Sequence, residues 1–250
     1  MVAEGLSRDE QHTGNTTPGN MGPDSLPPLN PLHLKGYKES TKHRLMNNEV
    51  ADNIRSLIPS RLQLHEEWGL IYSMEQHGLS LNTLYRQFEG EKRPSHDPGF
   101  GADVVSRMMA TPPGSSAFMS TVPRVRHGYV IIAQDDNHGL LGCYINEPLK
   151  PMDQKRYYGN GECFVWKNSQ REPFKAFMYT GLNDNIIYSN HDFIAIGSSQ
   201  GHNSLWIDKS LAFAVSCSCD TFGNEVLGGR HKNGNSSSFK LKGLEVWRVG

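Results

Sequence analysis

The feature that most restricts the fold of this chain is a series of short apolar runs, separated by turns, that begins near residue 129. Each run has the length of one β-strand, and the residues between runs are rich in Gly, Asn and Asp, which favour turns. The first two runs flank Asp135–Gly139, a pattern typical of a hairpin. The predicted strands are Tyr129–Ala133, Leu140–Ile145, Glu162–Trp166, Phe174–Tyr179, Asn185–Ser189, Phe193–Gly197, Ser204–Ile207, Leu211–Cys217 and Leu244–Val249. So many short strands predict a sandwich or a barrel.

Helical patterns are confined to the part of the chain before this series. Apolar residues recur at helical spacing between Leu45 and Ile58, and Pro59 ends the run. Ser80 is suited to cap a second helix. The apolar face of that helix comprises Leu81, Leu84, Tyr85 and Phe88. Between the two helices, Trp68–Ser73 has the composition of a short buried strand. Helices grouped at one end of the sequence predict the α+β class.

Two segments are expected to lie outside the folded core. Residues 1–40 are rich in Gly, Pro, Asn, Thr and Asp, and we predict a disordered N-terminal tail because they contain little apolar surface. Residues 91–123 contain Pro94, Pro112, Pro113 and Pro123 and are predicted to form a flexible insertion. The remaining sequence, residues 41–250, has the length of a single large domain.

Composition excludes several classes of function. The chain has 25 Lys+Arg and 26 Asp+Glu, so it lacks the overall basic charge that favours nucleic acid. No apolar run approaches the roughly 18 residues of a spanning helix, and we expect a soluble protein without membrane insertion. No P-loop or dinucleotide-binding glycine motif is present, and we expect no cofactor. The N-terminus, with Glu4, Asp9 and Glu10, is unlike a signal peptide and is a poor transit peptide, which favours the cytoplasm.

Gly197-Ser198-Ser199-Gln200-Gly201 matches the G-x-S-x-G pattern of a serine hydrolase. In hydrolases this pattern forms a sharp turn from a strand into a helix, which exposes the serine nucleophile. Here a strand pattern, Ser204–Ile207, follows the motif. The sequence therefore favours a glycine-rich turn between two strands over a nucleophile at Ser199.

The four cysteines allow a metal-site and a redox interpretation. Cys217 and Cys219 are one residue apart, which is shorter than the usual spacer between zinc ligands, and Cys143 and Cys163 lie far away in sequence. We therefore expect no metal. Cys219 and Cys217 remain candidates for redox-sensitive thiols, although free cysteine is commonly buried and a neighbouring carboxylate, Asp220, disfavours a thiolate.

A set of short motifs extends over most of the chain, from Arg61 to Gly250. They are Trp68–Ser73, His77–Leu81, Leu84-Tyr85, Gly139–Tyr144, Tyr158–Phe164, Tyr179–Asp184, Leu205–Asp208, Cys219–Glu225 and Leu244–Trp247. Their order and spacing resemble those of the TLDc domain family, in particular its fungal members. The resemblance implies a central sandwich of two antiparallel sheets flanked by a few helices.

The same resemblance implies a function. Family members protect against oxidative damage by a mechanism that is not established as catalytic. The family also implies binding to the peripheral sector of the vacuolar proton-pumping ATPase, with disassembly of the pump as the result. We accordingly expect a monomeric, non-enzymatic protein, with a mitochondrial pool in addition to the cytoplasmic one.

The sequence departs from the family in two places. Family members carry a run of glycines where this chain has Gly197–Gly201, which makes that loop a candidate partner contact, and the 91–123 insertion is longer than the usual connection. Three functions remain open at this point: a binding module, a direct antioxidant that consumes Cys219 or Cys217, and a hydrolase that uses Ser199.

Overall fold

The computed structural model describes residues 29–90, 127–169, 172–229 and 234–250. The helices are α1 (Asn48–Arg55), α2 (Ser60–Gln63), α3 (Met74–His77) and α4 (Leu81–Gly90). The strands are β1 (His33–Lys35), β2 (Glu67–Ser73), β3 (Gly128–Gln134), β4 (Leu140–Ile145), β5 (Phe164–Asn168), β6 (Lys175–Met178), β7 (Ile187–Ser189), β8 (Phe193–Ser199), β9 (His202–Asp208), β10 (Phe213–Cys217), β11 (Ser236–Lys240) and β12 (Gly243–Val249).

The strands form two sheets. One sheet has seven strands in the order β1-β2-β12-β3-β4-β5-β6, and the other has five in the order β11-β10-β9-β8-β7. All neighbouring strands are antiparallel except β1 and β2, which are parallel. The predicted α+β class, with a two-sheet antiparallel sandwich and a few helices, is confirmed.

Strand β3 shows how the core is arranged. Ile131 and Ala133 belong to the apolar core that joins the two sheets, together with residues of α4. Val130 and Ile132 belong to a second apolar cluster, between the seven-stranded sheet and α1. Because successive side chains of a strand point to opposite faces, β3 is buried on both sides. The seven-stranded sheet therefore forms the central layer of the molecule.

Capping side chains fix where the two longer helices begin. Asn47 Oδ1 accepts a hydrogen bond from Val50 N at 2.8 Å before α1, and Ser80 Oγ accepts one from Thr83 N at 3.3 Å before α4. The predicted capping role of Ser80 is confirmed. None of the helices within the described ranges is long and apolar enough to cross a bilayer.

The β3–β4 hairpin is closed by Asp135. Its Oδ1 accepts hydrogen bonds from Asn137 N at 2.9 Å and Gly139 N at 2.8 Å, and its Oδ2 accepts one from Gly229 N at 2.7 Å. The carboxylate is thus bonded to backbone amides, as expected of an Asx turn.

The predicted disordered tail, residues 1–40, is wrong for its last part. Residues 29–40 are described, and β1 within them pairs with β2, because Leu32 and Leu34 pack on the apolar cluster beneath α1. Residues 1–28 and the 91–123 insertion lie outside the described residues. Strand β11 was not predicted either.

Candidate functional site

The candidate site forms where the Gly197–Gly201 motif meets the segment that follows β10. Ser199 pairs with His202, so the motif is a tight connection between β8 and β9. Gln200 and Gly201 both have positive φ, at 49° and 80°. Positive φ at both central residues is characteristic of a two-residue hairpin. The motif therefore leads from one strand into the next, as the sequence predicted, and not into a helix.

Ser199 is bonded to the backbone of the neighbouring segment. Its Oγ accepts a hydrogen bond from Asp220 N at 2.9 Å, and Gln200 Nε2 donates to Asp220 Oδ2 at 3.2 Å. Within the described ranges, no histidine or carboxylate side chain hydrogen-bonds this hydroxyl. The arrangement stabilises the turn and provides no general base for a nucleophile.

The fully buried Thr221 hydroxyl links the two segments. Thr221 Oγ1 accepts a hydrogen bond from Ser198 N at 3.1 Å and donates to Asn183 Oδ1 at 3.0 Å. Asn183 belongs to a third loop, between β6 and β7, so a single hydroxyl joins three loops. This loop lies within one of the motifs of the TLDc resemblance, but nothing in its local pattern predicted contact with Thr221.

Thr180 binds the third loop to the same segment. Its backbone N donates to Thr221 O at 3.0 Å, and its Oγ1 donates to Asp220 O at 2.7 Å. Leu182 N donates in turn to Thr180 Oγ1 at 3.3 Å. Both ends of the loop are thus held by hydrogen bonds, which limits its freedom before any partner arrives.

Asn224 closes the segment that follows β10. Its Nδ2 donates to Cys217 O at 2.8 Å, and its Oδ1 accepts from Ser204 Oγ at 2.7 Å. Cys219 and Asn224 form an isolated antiparallel bridge around Phe222-Gly223. The segment is therefore a compact turn whose backbone conformation is fixed by a buried amide side chain.

Both candidate thiols lie beneath this turn. Cys219 is 3% exposed and donates to Thr221 Oγ1 at 3.4 Å, and Cys217 donates to Ser236 Oγ at 3.3 Å. Cys143 and Cys163 are buried as well. A buried thiol reacts slowly with solvent oxidants, so the positions favour structural roles. Redox sensitivity of Cys217 and Cys219 stays a prediction.

The exposed side chains of the three loops form one surface, which we call the loop surface and define as Leu182, Asp184, Gln200 and Asp220. Leu182 is 73% exposed although both of its flanking segments are held in place. Asp184 accepts a hydrogen bond from Tyr179 OH at 2.8 Å. Neither aspartate forms an ion pair with a described residue. The loop surface is therefore restrained by hydrogen bonds, acidic at Asp184 and Asp220, and apolar at Leu182.

An ion-pair network lies at the end of the segment that follows β10. Glu225 Oε1 lies 2.8 Å from Lys175 Nζ and 3.0 Å from Lys167 Nζ, and Lys167 also pairs with Glu172. Hydrogen bonds from Lys175 and then Lys167 lower the pKa of the Glu225 carboxyl to about 2. The network ties the turn after β10 to β5 and β6 of the other sheet.

Metal ligands are not grouped at this site. Among the residues that the structure describes, no group of three or more His, Cys, Asp or Glu side chains could hold a metal ion. Fold and site together define a β-sandwich protein whose candidate site is a surface of hydrogen-bonded loops.

The TLDc domain family model matches residues 39–95 and 114–250. The chain therefore belongs to the TLDc family, and the resemblance found in its motifs is confirmed. The match is interrupted between residues 95 and 114, inside the segment predicted as an insertion.

Relatives from three yeasts share the name oxidation resistance protein 1. The one from Debaryomyces hansenii is 53% identical, and the alignment covers 90% of this chain and 77% of the relative. The one from Kluyveromyces lactis is 37% identical, with 91% and 83% covered. The one from Saccharomyces cerevisiae is 35% identical, with 89% and 79% covered. These similarities support a role in resistance to oxidative stress.

Proposed function

We propose that this protein protects cells against oxidative damage as a non-enzymatic binding module. Its partner in this proposal is the peripheral sector of the vacuolar proton-pumping ATPase, and its binding promotes disassembly of the pump. The partner follows from the TLDc resemblance. The site of contact that we propose is the loop surface.

The main observation that supports this contact site is the exposure of Leu182 on a loop restrained by hydrogen bonds. A side chain on a flexible loop must be ordered when a partner binds, and that ordering weakens the complex. The hydrogen bonds of Thr180, Asn183 and Thr221 restrain this loop and lower that cost. Leu182 is an apolar side chain that a partner could remove from water, and the polar groups around it could form the rim of such a contact. Asp184 and Asp220 favour a partner with a basic surface.

The same geometry argues against the two alternative functions, a hydrolase that uses Ser199 and a direct antioxidant that consumes Cys219. Ser199 is engaged with the amide of Asp220 and is followed by a strand. Cys219 is buried and donates to Thr221. A binding function requires neither an activated nucleophile nor an accessible thiol.

A binding assay with the purified peripheral sector tests the proposal. Leu64 is 74% exposed and lies at the end of α2, so Leu64→Ser is a matched control for Leu182→Ser. We expect Leu182→Ser to weaken binding about tenfold or more, as for the centre of an interface, and Leu64→Ser to leave it unchanged. Failure of the unaltered protein to bind would refute the partner, whereas equal effects of the two substitutions would refute the surface.

Stress resistance provides the second readout. In cells that lack the protein, the unaltered chain should restore peroxide resistance, Leu182→Ser should not, and Cys219→Ser and Ser199→Ala should. We propose a cytoplasmic location with a mitochondrial pool, which cell fractionation during the same experiment would test.

A further inference from the structure

A groove lies beside β1, on the side of the molecule where α1 begins. It is open to solvent and has a volume of about 520 Å³ between β1 and the chain that leads into α1. Leu32, Leu34 and Met46 contribute apolar side chains, and Tyr37 and Arg44 stand beside them. Leu32 and Met46 are buried, Leu34 is half-buried, and Lys35 and Asn47 make the rest of the lining polar. An open groove that runs beside a strand suits an extended segment of several residues.

One wall of the groove is a free strand edge. β1 is the first strand of the seven-stranded sheet and pairs with β2 alone. His33 N donates to Glu66 O at 2.7 Å, so the backbone groups of His33 and Lys35 face β2. The backbone N–H and C=O groups of successive residues in a strand point to opposite edges. Those of Leu34 therefore point away from β2, toward the groove. No described residue pairs with them.

The charge of the groove is positive. The Arg44 guanidinium lies 4.9 Å from the centre of the Tyr37 ring and forms no ion pair with a described residue. No carboxylate lines the groove. Two carboxylates nearby are already engaged: Glu67 pairs with the lining residue Lys35, and the buried Glu245 accepts hydrogen bonds from Tyr37, Leu45, Met46 and Trp247. Arg44 has no carboxylate partner among the described residues, so its guanidinium can bind an incoming carboxylate.

We infer that this groove binds an extended acidic segment of a partner protein, which adds to the sheet as a strand along the free edge of β1. The segment pairs its backbone with that of Leu34, packs an apolar side chain beside the half-buried Leu34 side chain, and brings a carboxylate to Arg44. Strand addition uses backbone bonds for affinity and alternate side chains for specificity. This site is separate from the loop surface and does not depend on the proposed ATPase contact.

A synthetic peptide with alternating Glu and Val, carrying a fluorescent label, tests the inference by fluorescence anisotropy. A second peptide has its central backbone amides methylated, and a third has Lys in place of every Glu. We expect saturable binding of the first peptide, with at least a tenfold loss for each of the other two, because one lacks the backbone donors and the other the charge. Equal binding of all three peptides, or none by the first, would overturn the inference.

Two protein variants locate the site. Arg44→Glu should weaken binding of the acidic peptide at least fivefold. Lys240→Glu, on the exposed edge strand β11, should leave that binding unchanged. The Leu34 amide should become protected from hydrogen exchange when the peptide is bound to the unaltered full chain. An unprotected Leu34 amide, or a loss of binding for Lys240→Glu alone, would contradict strand addition at β1. Concentration-dependent self-association that Arg44→Glu abolishes would make a second copy the occupant and would also overturn it.

Discussion

The Tyr37 hydroxyl donates a hydrogen bond of 2.7 Å to Glu245 Oε2, across a separation of 208 positions. Glu245 lies on β12, is 1% exposed, and also accepts from Leu45 N at 3.0 Å and Trp247 Nε1 at 3.0 Å. Burial raises the pKa of its carboxyl, and burial followed by the charge of Glu245 raises the pKa of Tyr37. This carboxylate holds the chain that precedes α1 against the central sheet.

We predict that Glu245→Gln destabilises the protein by about 2 kcal/mol, because an amide NH₂ must face donors and leaves buried hydrogen bonds unmade. Tyr37→Phe removes one of the donors and should cost about 1 kcal/mol. Urea unfolding measures both free energies. A Glu245→Gln variant as stable as the unaltered protein would show that the carboxylate contributes nothing to holding this segment.

Gly197 and Gly201 offer a second, paired prediction. Both have positive φ, but a Cβ on Gly197 would lie 2.4 Å from Ser204 Oγ, whereas one on Gly201 would meet nothing within 4 Å. Gly201→Ala should therefore cost about 1 kcal/mol from backbone strain alone. Gly197→Ala adds a steric clash, and we expect a total of about 3 kcal/mol or more. Thermal unfolding of the two variants distinguishes them, and equal losses would refute the clash.

Strands with a strong apolar period could be predicted from sequence, and the two that lack it could not. β11 contains a single apolar residue, Phe239, and is placed by its backbone pairing with β10. β1 has only three residues and depends on contacts with β2 and α1. A local pattern carries no information about such partners.

The candidate site could be predicted in its parts but not in its assembly. The motifs around Gly197–Gly201 and Cys217–Cys219 were recognised separately. Their junction at Thr221 depends on Ser198, 23 positions earlier, and on Asn183, 38 positions earlier. These contacts follow from the order of strands in the five-stranded sheet, which neither spacing nor composition specifies.

The lowered pKa of the Glu225 carboxyl predicts how the stability of the fold decreases in acid. Its carboxyl pKa falls from 4.5 to about 2 when the chain folds, because Lys175 and Lys167 hydrogen-bond it. A carboxyl whose pKa is lower in the folded state than in the unfolded state stabilises the fold at any pH above its unfolded-state pKa. That stabilisation is lost as the pH falls through the folded-state pKa. The stability difference between the unaltered protein and Glu225→Gln should thus be nearly constant above about pH 5, shrink as the pH falls, and be lost below about pH 2.

The magnitude at neutral pH should not exceed about 1 kcal/mol, because the Glu225 side chain is half exposed and solvent screens its ion pairs. Glu39→Gln, at an exposed position with no ion pair to a described residue, is the control and should leave the free energy of unfolding at neutral pH unchanged. A difference that grows on acidification would contradict the assigned role of Glu225.

Thiol reactivity separates a structural role of the cysteines from a sacrificial one. All four cysteines are free and buried, and burial raises the pKa of Cys163 to about 11 and that of Cys143 as well. Because the thiolate is the reactive form, we predict that a thiol-specific reagent labels the native protein only at the rate of unfolding and labels four thiols at once in denaturant. In Cys219→Ser, a hydroxyl can still donate to Thr221, so the fold and peroxide resistance should persist. Rapid native labelling of Cys219, together with loss of resistance in this variant, would instead identify it as the group that peroxide consumes.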